Sequence, residues 1–515
     1  MQSFSQILNA YREASPDERS KGTQFEQLVL VYFKHDAMQK SLYDDVWTFS
    51  DWAESQGLNK KDLGIDLVAK ISGSDKFCAI QCKFYSEDRR IERKDLDSFF
   101  AASGTSHFGR RIVVDTTGGN WGQNAESLLN GQAIETLRIG LTDLEESNIN
   151  WSSFVRDQRV QLLDKKTLRP HQEQALEAVR AGLEEADRGK LIMACGTGKT
   201  FTGLKIAEDL AGIGKKVLFM VPSLSLMSQT VREWTNDAGI PLKSFAVCSD
   251  SQVGKRQGSD DGADIGAFDL AYPSTTNPEK LAHGVREYAN KDCMTVVFAT
   301  YHSIDVITRA QSLHDMDDFD LIICDEAHRT TGALFPDQDE SNFIKVHSQS
   351  NVRGHKRLYM TATPRVYGEG VKEKASDASV ELCDMDDENL YGKTLFTRGF
   401  SWAVENDLLT DYKVIVLAVD EGTISEGLQK SWQEGSELNL DDATKVIGCY
   451  KALNKTGLSE DLMTDTGPMR RAIAFCKDIK TSKLVRSNLP LSPTTTLIVK
   501  SARWMTRKNP AYVAN

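Results

Sequence analysis

Three stretches of the sequence predict an α/β protein of more than one domain. The segment "GIDLVAKISGSDKFCAIQCKF" (64–84) reads as two strands around a turn, flanked on both sides by helical stretches. From residue 168 onward, apolar strand-like runs alternate with helical ones, as in a parallel sheet. Within that region, "LIMACGTGKTFTGLKIAEDL" is a buried strand, a glycine-containing loop and the start of a helix. At 515 residues the chain can form roughly two to four domains, each with its own core.

The hairpin is mostly apolar yet carries Asp66, Gln81 and Lys83. A turn centred between Ser74 and Asp75 sets Asp66 opposite Lys83 and Val68 opposite Gln81. Side chains alternate along a strand, so the three polar groups share one face. Two readings fit. Asp66 and Lys83 could be a solvated cross-strand ion pair worth ~0.2–1 kcal/mol. Alternatively, Asp66, the amide oxygen of Gln81 and the Cys82 carbonyl could hold Mg²⁺, with Lys83 orienting water and offsetting phosphate charge. On the metal reading, glutamate at 81 keeps an oxygen ligand and adds charge, so Gln81→Glu should be milder than Gln81→Ala. Upstream, "GTQFEQLVLVYF" (22–33) begins a helix that Thr23 could cap, with Glu26 as its capping-box partner. Downstream, "RKDLDSFFAASG" reads as a helix and "RRIVVDTT" as a strand.

A helix, a hairpin bearing D…QxK, a helix and a strand form the pattern of the PD-(D/E)xK nucleases. The residues "FE", "GID", "QCK" and "DLDSFFAASG" resemble the Mrr-like restriction branch, in which Gln replaces an acid. The resemblance implies a Mg²⁺-dependent endonuclease. It assigns Asp66 and Gln81 to the metal, Lys83 to the attacking water and Glu26 to a supporting role.

The second constellation centres on "GTGKT". Gly196, Thr197 and Gly198 form a loop whose backbone amides can approach phosphate oxygens, at a helix N-terminus that adds its dipole. Lys199 can reach the β and γ phosphates, and the Thr200 hydroxyl can hold Mg²⁺. The general loop pattern has a further Gly where this chain has Met193. "LRPHQEQAL" precedes the loop, and Gln172 could read the adenine edge. "KVLFMVPSLSLMSQT" and "MTVVFATYHSI" are further strand–turn units. "FDLIICDEAHRTTG" ends a strand in Asp325, placed to hold Mg²⁺, and Glu326, placed to orient the attacking water. "RLYMTATP" ends another strand with Thr361 and Thr363.

Together these pieces resemble the first RecA-like lobe of superfamily 2 helicases and translocases. "MACGTGKT" and "DEAH" look most like the motors of restriction enzymes. The resemblance implies ATP as cofactor and makes His328 the link from nucleotide to Thr361 and Thr363. "TRGFSWAVENDLLTDYKVIVLAV" (397–419) looks like the crossing segment to a second lobe, and "RRAIAFCKDIKTSK" (470–483) like the first strand of that lobe. An Mrr-like nuclease fused to such a motor resembles the type ISP restriction–modification enzymes.

The expected fold is thus a PD-(D/E)xK restriction-endonuclease-like domain (1–160), a RecA-like motor lobe (161–396), an incomplete second RecA-like lobe (397–485) and a disordered basic tail (486–515). That tail begins near a sharp charge shift: from Lys477 to Asn515 there are eight Lys or Arg against one acid. Members of the resembled family continue into a methyltransferase and a target-recognition domain. On that resemblance the chain reads as an N-terminal third, without a QxxGRxxR-type arginine finger, and is expected to bind ATP without fast turnover. The terminal "NPAY" (509–512) is read as chance. The implied function is Mg²⁺-dependent cleavage of double-stranded DNA coupled to ATP-driven translocation. Two alternatives stand beside it: a type I-like motor subunit served by separate methyltransferase and recognition subunits, and an inactive remnant that only binds DNA and nucleotide.

Composition constrains the rest. The formal net charge is −12, so a simple basic DNA-binding module is excluded, although a local basic track such as "KFYSEDRRIERK" (83–94) is not. The nine cysteines show no CxxC spacing, which argues for a reducing cytoplasm and against zinc. No run approaches ~18 apolar residues, and the N-terminus lacks the pattern of a signal peptide. Residues 250–265 and 420–445 read as loops.

Overall fold

The fold was analysed in a computed structural model. The structure describes residues 4–411 apart from 15–16, 61–63, 87, 118–120, 130–131, 158, 249–269, 289–290, 335–340 and 371–380, together with 471–476, 496–501 and 513–514. The stretches read as loops at 250–265 and 420–445, and "NPAY" (509–512), lie outside these residues. One compact unit comprises residues 1–256 and 265–410, and a second comprises 257–264 and 411–515.

The first unit holds two large sheets. The N-terminal sheet has β1 (Tyr43–Thr48), β2 (Leu67–Ile71), β3 (Phe77–Lys83), β4 (Phe108–Asp115) and β5 (Glu135–Ile139), in that spatial order. β1, β2 and β3 pair antiparallel, whereas β3, β4 and β5 run parallel. Val68, Ala79, Phe99, Phe108, Val113 and Trp121 belong to its core. The helix Glu18–His35 packs on β3, where Phe25 stacks on Phe84 at 5.1 Å.

Two local expectations are corrected. The hairpin register pairs Leu67 with Ile80 and Ala69 with Cys78, because the turn is centred between Gly73 and Ser74. Asp66 therefore lies level with Gln81 instead of Lys83. The shift is two residues, so every side chain keeps its face. The upstream helix starts at Glu18, capped by Asp17, whose Oδ1 accepts from the Ser20 N–H at 2.8 Å. Thr23 is inside this helix, so Glu26 has no capping role.

The second sheet is parallel throughout. Its strands are β6 (Arg188–Met193), β7 (Lys216–Val221), β8 (Leu242–Val247), β9 (Ser274–Thr275), β10 (Met294–Thr300), β11 (Phe319–Cys324), β13 (Gly354–Thr361) and β15 (Lys393–Arg398). A small antiparallel pair, β12 (Gly332–Leu334) and β14 (Glu381–Cys383), stands apart. The order β15-β6-β13-β11-β7-β10-β8-β9 puts β6 and β11 either side of β13. The segments following β6, β11 and β13 therefore meet at one edge of the sheet, and these carry "GTGKT", "DEAH" and "TAT". "VLFMV" and "TVVFA" are buried on both faces, which explains their continuous apolar runs.

The two sheets share a unit through a charged joint. Arg232, on the helix Leu224–Asp237, donates from Nη1 to Glu146 and from Nη2 to Asp143, both beyond the end of β5. Arg232 and Asp143 are buried, at 7% and 1% exposure. Lys165 and Lys166 add contacts to Ala238 O and to Glu233 and Asp237.

In the second unit, β16 (Arg471–Cys476) falls in the stretch expected to open the second lobe. It pairs in parallel with β17 (Thr496–Ser501), which pairs with β18 (Val513–Ala514). Residues 496–501 and 513–514 fall in the stretch expected as a disordered tail, and "TLIVKS" is rich in strand formers.

Arg232→Ala should destabilise the chain by about 3 kcal/mol, because it takes the opposite charge away from the buried Asp143 carboxylate. Arg232→Met with Asp143→Leu should lose much less. Urea midpoints of the two variants check this.

Candidate active sites

The first site lies where β3 runs out toward Lys83. Asp66 Oδ2 accepts from the Cys82 N–H at 2.6 Å. Gln81 is 4% exposed; its Nε2 donates to the Gly64 carbonyl at 3.0 Å, and its Oε1 is buried with no hydrogen-bond partner. A buried, unsatisfied amide oxygen is costly to leave so, and here it is level with a carboxylate. That donor set, one carboxylate and one amide oxygen, suits a hard oxygen-seeking cation such as Mg²⁺. Among the described residues there is no cluster of three His, Cys, Asp or Glu placed to hold a metal ion.

Lys83 is half-buried, and desolvation lowers its pKa while Asp66 and Asp95 pull it back up. Asp66, Glu26 and Lys83 all act electrostatically on Cys82, whose thiol burial pushes up. Glu26 therefore sits near this end of the strand. The Tyr85 amide and carbonyl are both bonded to Thr116 Oγ1, which ties the segment after β3 to the end of β4. Arg89 covers the Tyr85 ring at 3.5 Å and pairs with Asp95 at 3.5 Å.

The second site surrounds the loop after β6. Gly196 and Gly198 have φ of +82° and +88°. At Gly198 a Cβ would also run into Gln172, so the loop path requires glycine there. Lys199, 8% exposed, places Nζ 3.2 Å from Glu326 Oε1. Thr200 is half-buried at the second position of the helix Lys199–Leu210. Two expected cofactor residues face inward. Thr197 Oγ1 donates to the Ala194 carbonyl at 2.7 Å. Gln172 Oε1 accepts from the Arg169 N–H at 2.9 Å, and its Nε2 lies 3.4 and 3.3 Å from the Thr197 and Gly198 carbonyls. Its amide thus braces the loop, and the edge expected to read adenine is engaged within the chain.

Asp325 and Glu326 are adjacent but differently placed. Burial pushes Asp325 up to about 6, against the pull of Lys199. Glu326 adopts a left-handed backbone (φ 48°, ψ 46°), and its hydrogen bond from His328 holds it down at about 2. His328 Nδ1 also lies 3.1 Å from Thr361 Oγ1, which accepts from the Thr363 N–H at 3.2 Å. A chain Lys199–Glu326–His328–Thr361–Thr363 therefore crosses the sheet edge. The sequence did not mark two supports: Tyr301 donates to the Asp325 carbonyl at 2.8 Å, and His171 Nε2 lies 3.0 Å from the Thr197 carbonyl.

Comparison with known proteins bears on both sheets. Residues 34–161 match a family described as restriction endonuclease, and residues 165–366 match one described as type III restriction enzyme, res subunit. The structure resembles the ATP-dependent type ISP restriction–modification enzyme LlaBIII bound to DNA: TM-score 0.78, 40% identity, 95% of this chain and 31% of that one. The two matched families fall one on each large sheet, in the same order along the chain. A probable helicase, A859L, of African swine fever virus (strain Badajoz 1971 Vero-adapted) is 32% identical over 316 residues, 61% of this chain and 30% of its own. The chain spans about a third of the length of these relatives.

The opposite shifts at Asp325 and Glu326 predict a pH signature without nucleotide. Asp325 has its folded value raised from 3.8, so its contribution to stability falls as pH rises from about 4 to about 6. Glu326 is depressed from 4.5, so its contribution is present above about 4.5 and lost as pH falls toward 2. Asp325→Asn should therefore stabilise the chain at pH 7 by roughly 1–3 kcal/mol, with the gain vanishing below about pH 4. Thermal melts from pH 4 to 8 measure it.

Proposed function

We propose that the chain is the nuclease and motor part of an ATP-dependent DNA restriction enzyme that cuts double-stranded DNA. The observation that carries the reading is the buried, partnerless Oε1 of Gln81 level with Asp66 and followed by Lys83, in one unit with the glycine loop and Lys199. We place the nuclease in residues 1–160, the first motor lobe in 161–396 and the start of a second lobe in 397–485.

In the nuclease, Asp66 and Gln81 Oε1 would hold Mg²⁺, with the Cys82 carbonyl as a further oxygen. A divalent cation there would supply Lewis-acid stabilisation of the phosphodiester. Lys83, half-desolvated, positions the attacking water and offsets charge as it develops on phosphate. Glu26 supports the site from the neighbouring helix. The basic residues of 83–94 give the DNA backbone a local track within an acidic chain.

In the motor, the amides of Gly196 to Gly198 and the helix N-terminus cradle the phosphates of ATP. Lys199 would exchange Glu326 for the β and γ phosphates. Thr200 and Asp325 would hold Mg²⁺, whose charge would offset the desolvation that raises Asp325. Glu326, kept ionised, orients the hydrolytic water. His328 then reports its state to Thr361 and Thr363. The free cysteines among the described residues fit work in a reducing cytoplasm.

Asp66→Ala or Lys83→Ala should lower Mg²⁺-dependent nicking of supercoiled plasmid by about 100-fold or more while leaving ATP binding unchanged. Nicking by Asp66→Ala at the wild-type rate would remove the site from the mechanism. Lys199→Ala should weaken ATP binding and abolish hydrolysis, measured by fluorescent-nucleotide titration and phosphate release; wild-type affinity would remove the loop assignment.

A further inference from the structure

An amide is an ambiguous metal ligand. Its two ends are nearly the same size, but only the oxygen attracts a cation, whereas the NH₂ repels it. A carboxylate has no such problem. A site that uses glutamine therefore needs something to choose between the ends, and here one group can do so. The Gly64 carbonyl accepts a hydrogen bond from Gln81 Nε2 at 3.0 Å. A carbonyl oxygen can only accept, so it selects the NH₂ end and turns Oε1 the other way. Oε1 is then the buried atom left without a partner.

The Gly64 backbone is itself held in place. Its φ is +90°, where L side chains rarely go. A Cβ there would lie 2.8 Å from Ser98 Oγ and 3.3 Å from the Phe99 nitrogen. The glycine is packed under the start of the helix Asp97–Ala102, two residues before Asp66 in the chain. One short segment thus supplies a carboxylate and fixes the orientation of the amide across from it.

We infer that Gly64 is the positioning residue of the nuclease metal site: its carbonyl locks the Gln81 amide with Oε1 as ligand, and this makes the site specific for glutamine. The inference rests on the nuclease reading proposed above. It reverses the expectation from charge alone. Gln81→Glu replaces the donating NH₂ by an oxygen about as far from the Gly64 carbonyl, so two acceptors face each other and the carboxylate must rotate away. A merely structural hydrogen bond would affect stability without affecting the metal.

The test is Mn²⁺ titration of the nucleotide-free chain, read by the electron paramagnetic resonance of unbound Mn²⁺, alongside melting curves. The variants are Asp66→Ala, Gln81→Glu and Gly64→Ala. Asp66→Ala should abolish the tightest binding. Gln81→Glu should bind Mn²⁺ roughly tenfold or more weakly than wild type despite its added charge. Gly64→Ala, where it folds, should weaken Mn²⁺ binding similarly. Should Gly64→Ala not fold, Gln81→Glu decides alone. Wild-type or tighter Mn²⁺ binding by Gln81→Glu, with binding still lost in Asp66→Ala, overturns the lock and leaves the nuclease site standing. Unchanged binding in Asp66→Ala overturns both.

Discussion

Lys199 and Glu326 meet at 3.2 Å in a site where the lysine is 8% exposed. Neither charge is well solvated, so each depends on the other until a nucleotide enters. The same pairing organises its neighbours. Glu326 is held ionised by His328, His328 reaches Thr361, and Asp325 is left to bear the cost of burial. The loop after β6 is thus coupled to β11 and β13. Because interior hydrogen bonds and charges act in a low dielectric, moving Lys199 to phosphate must rebalance the whole chain of contacts. On the proposed nucleotide-binding reading, that is a physical basis for transmitting nucleotide state across the sheet edge.

The proposed nuclease site uses the opposite strategy. Its lysine is only half-buried, and its least satisfied atom is neutral, the oxygen of Gln81. An unsatisfied amide oxygen destabilises far less than an unpaired carboxylate at the same depth. Glutamine lets the site stay deeply buried without a second negative charge beside Asp66. The trade is orientation, which an amide does not provide for itself and which the Gly64 carbonyl imposes. Arg232 links the two sheets through buried charge. Such pairs add little net stability but are sensitive to geometry, so they fix how the sheets meet.

Much of this was legible in the sequence. Continuous apolar runs marked β7, β10 and β11 because both faces are covered. The strand–loop–helix around "GTGKT" and the acids at the end of "LIIC" were local patterns, and local patterns survive folding. The face shared by Gln81 and Lys83 also followed from alternation alone. What was missed depended on long-range partners. The hairpin register slipped by two because the turn residues allow several centres. Thr23 looked like a cap because Asp17, the better one, lies further from the apolar stripe. Gln172 carries no sign in its neighbours that the Thr197 and Gly198 carbonyls would claim its amide. Arg232 and Asp143 are 89 positions apart, and no local signal connects them.

Gly64 falls between these cases. Its motif context pointed to the aspartate two residues later, and a glycine before a strand reads as a turn residue. Its role becomes visible only once the register brings Gln81 level with Asp66 and the helix Asp97–Ala102 closes over its α-carbon. The register shift is therefore more than a corrected detail. Asp66 opposite Lys83 would favour a cross-strand ion pair, with glutamine a bystander. Asp66 level with Gln81 sets the carboxylate beside an amide whose other end is already engaged, and leaves Lys83 beyond them toward solvent. A shift of two residues that moves no side chain to another face changes which neighbours meet, and with it the chemistry the hairpin can support.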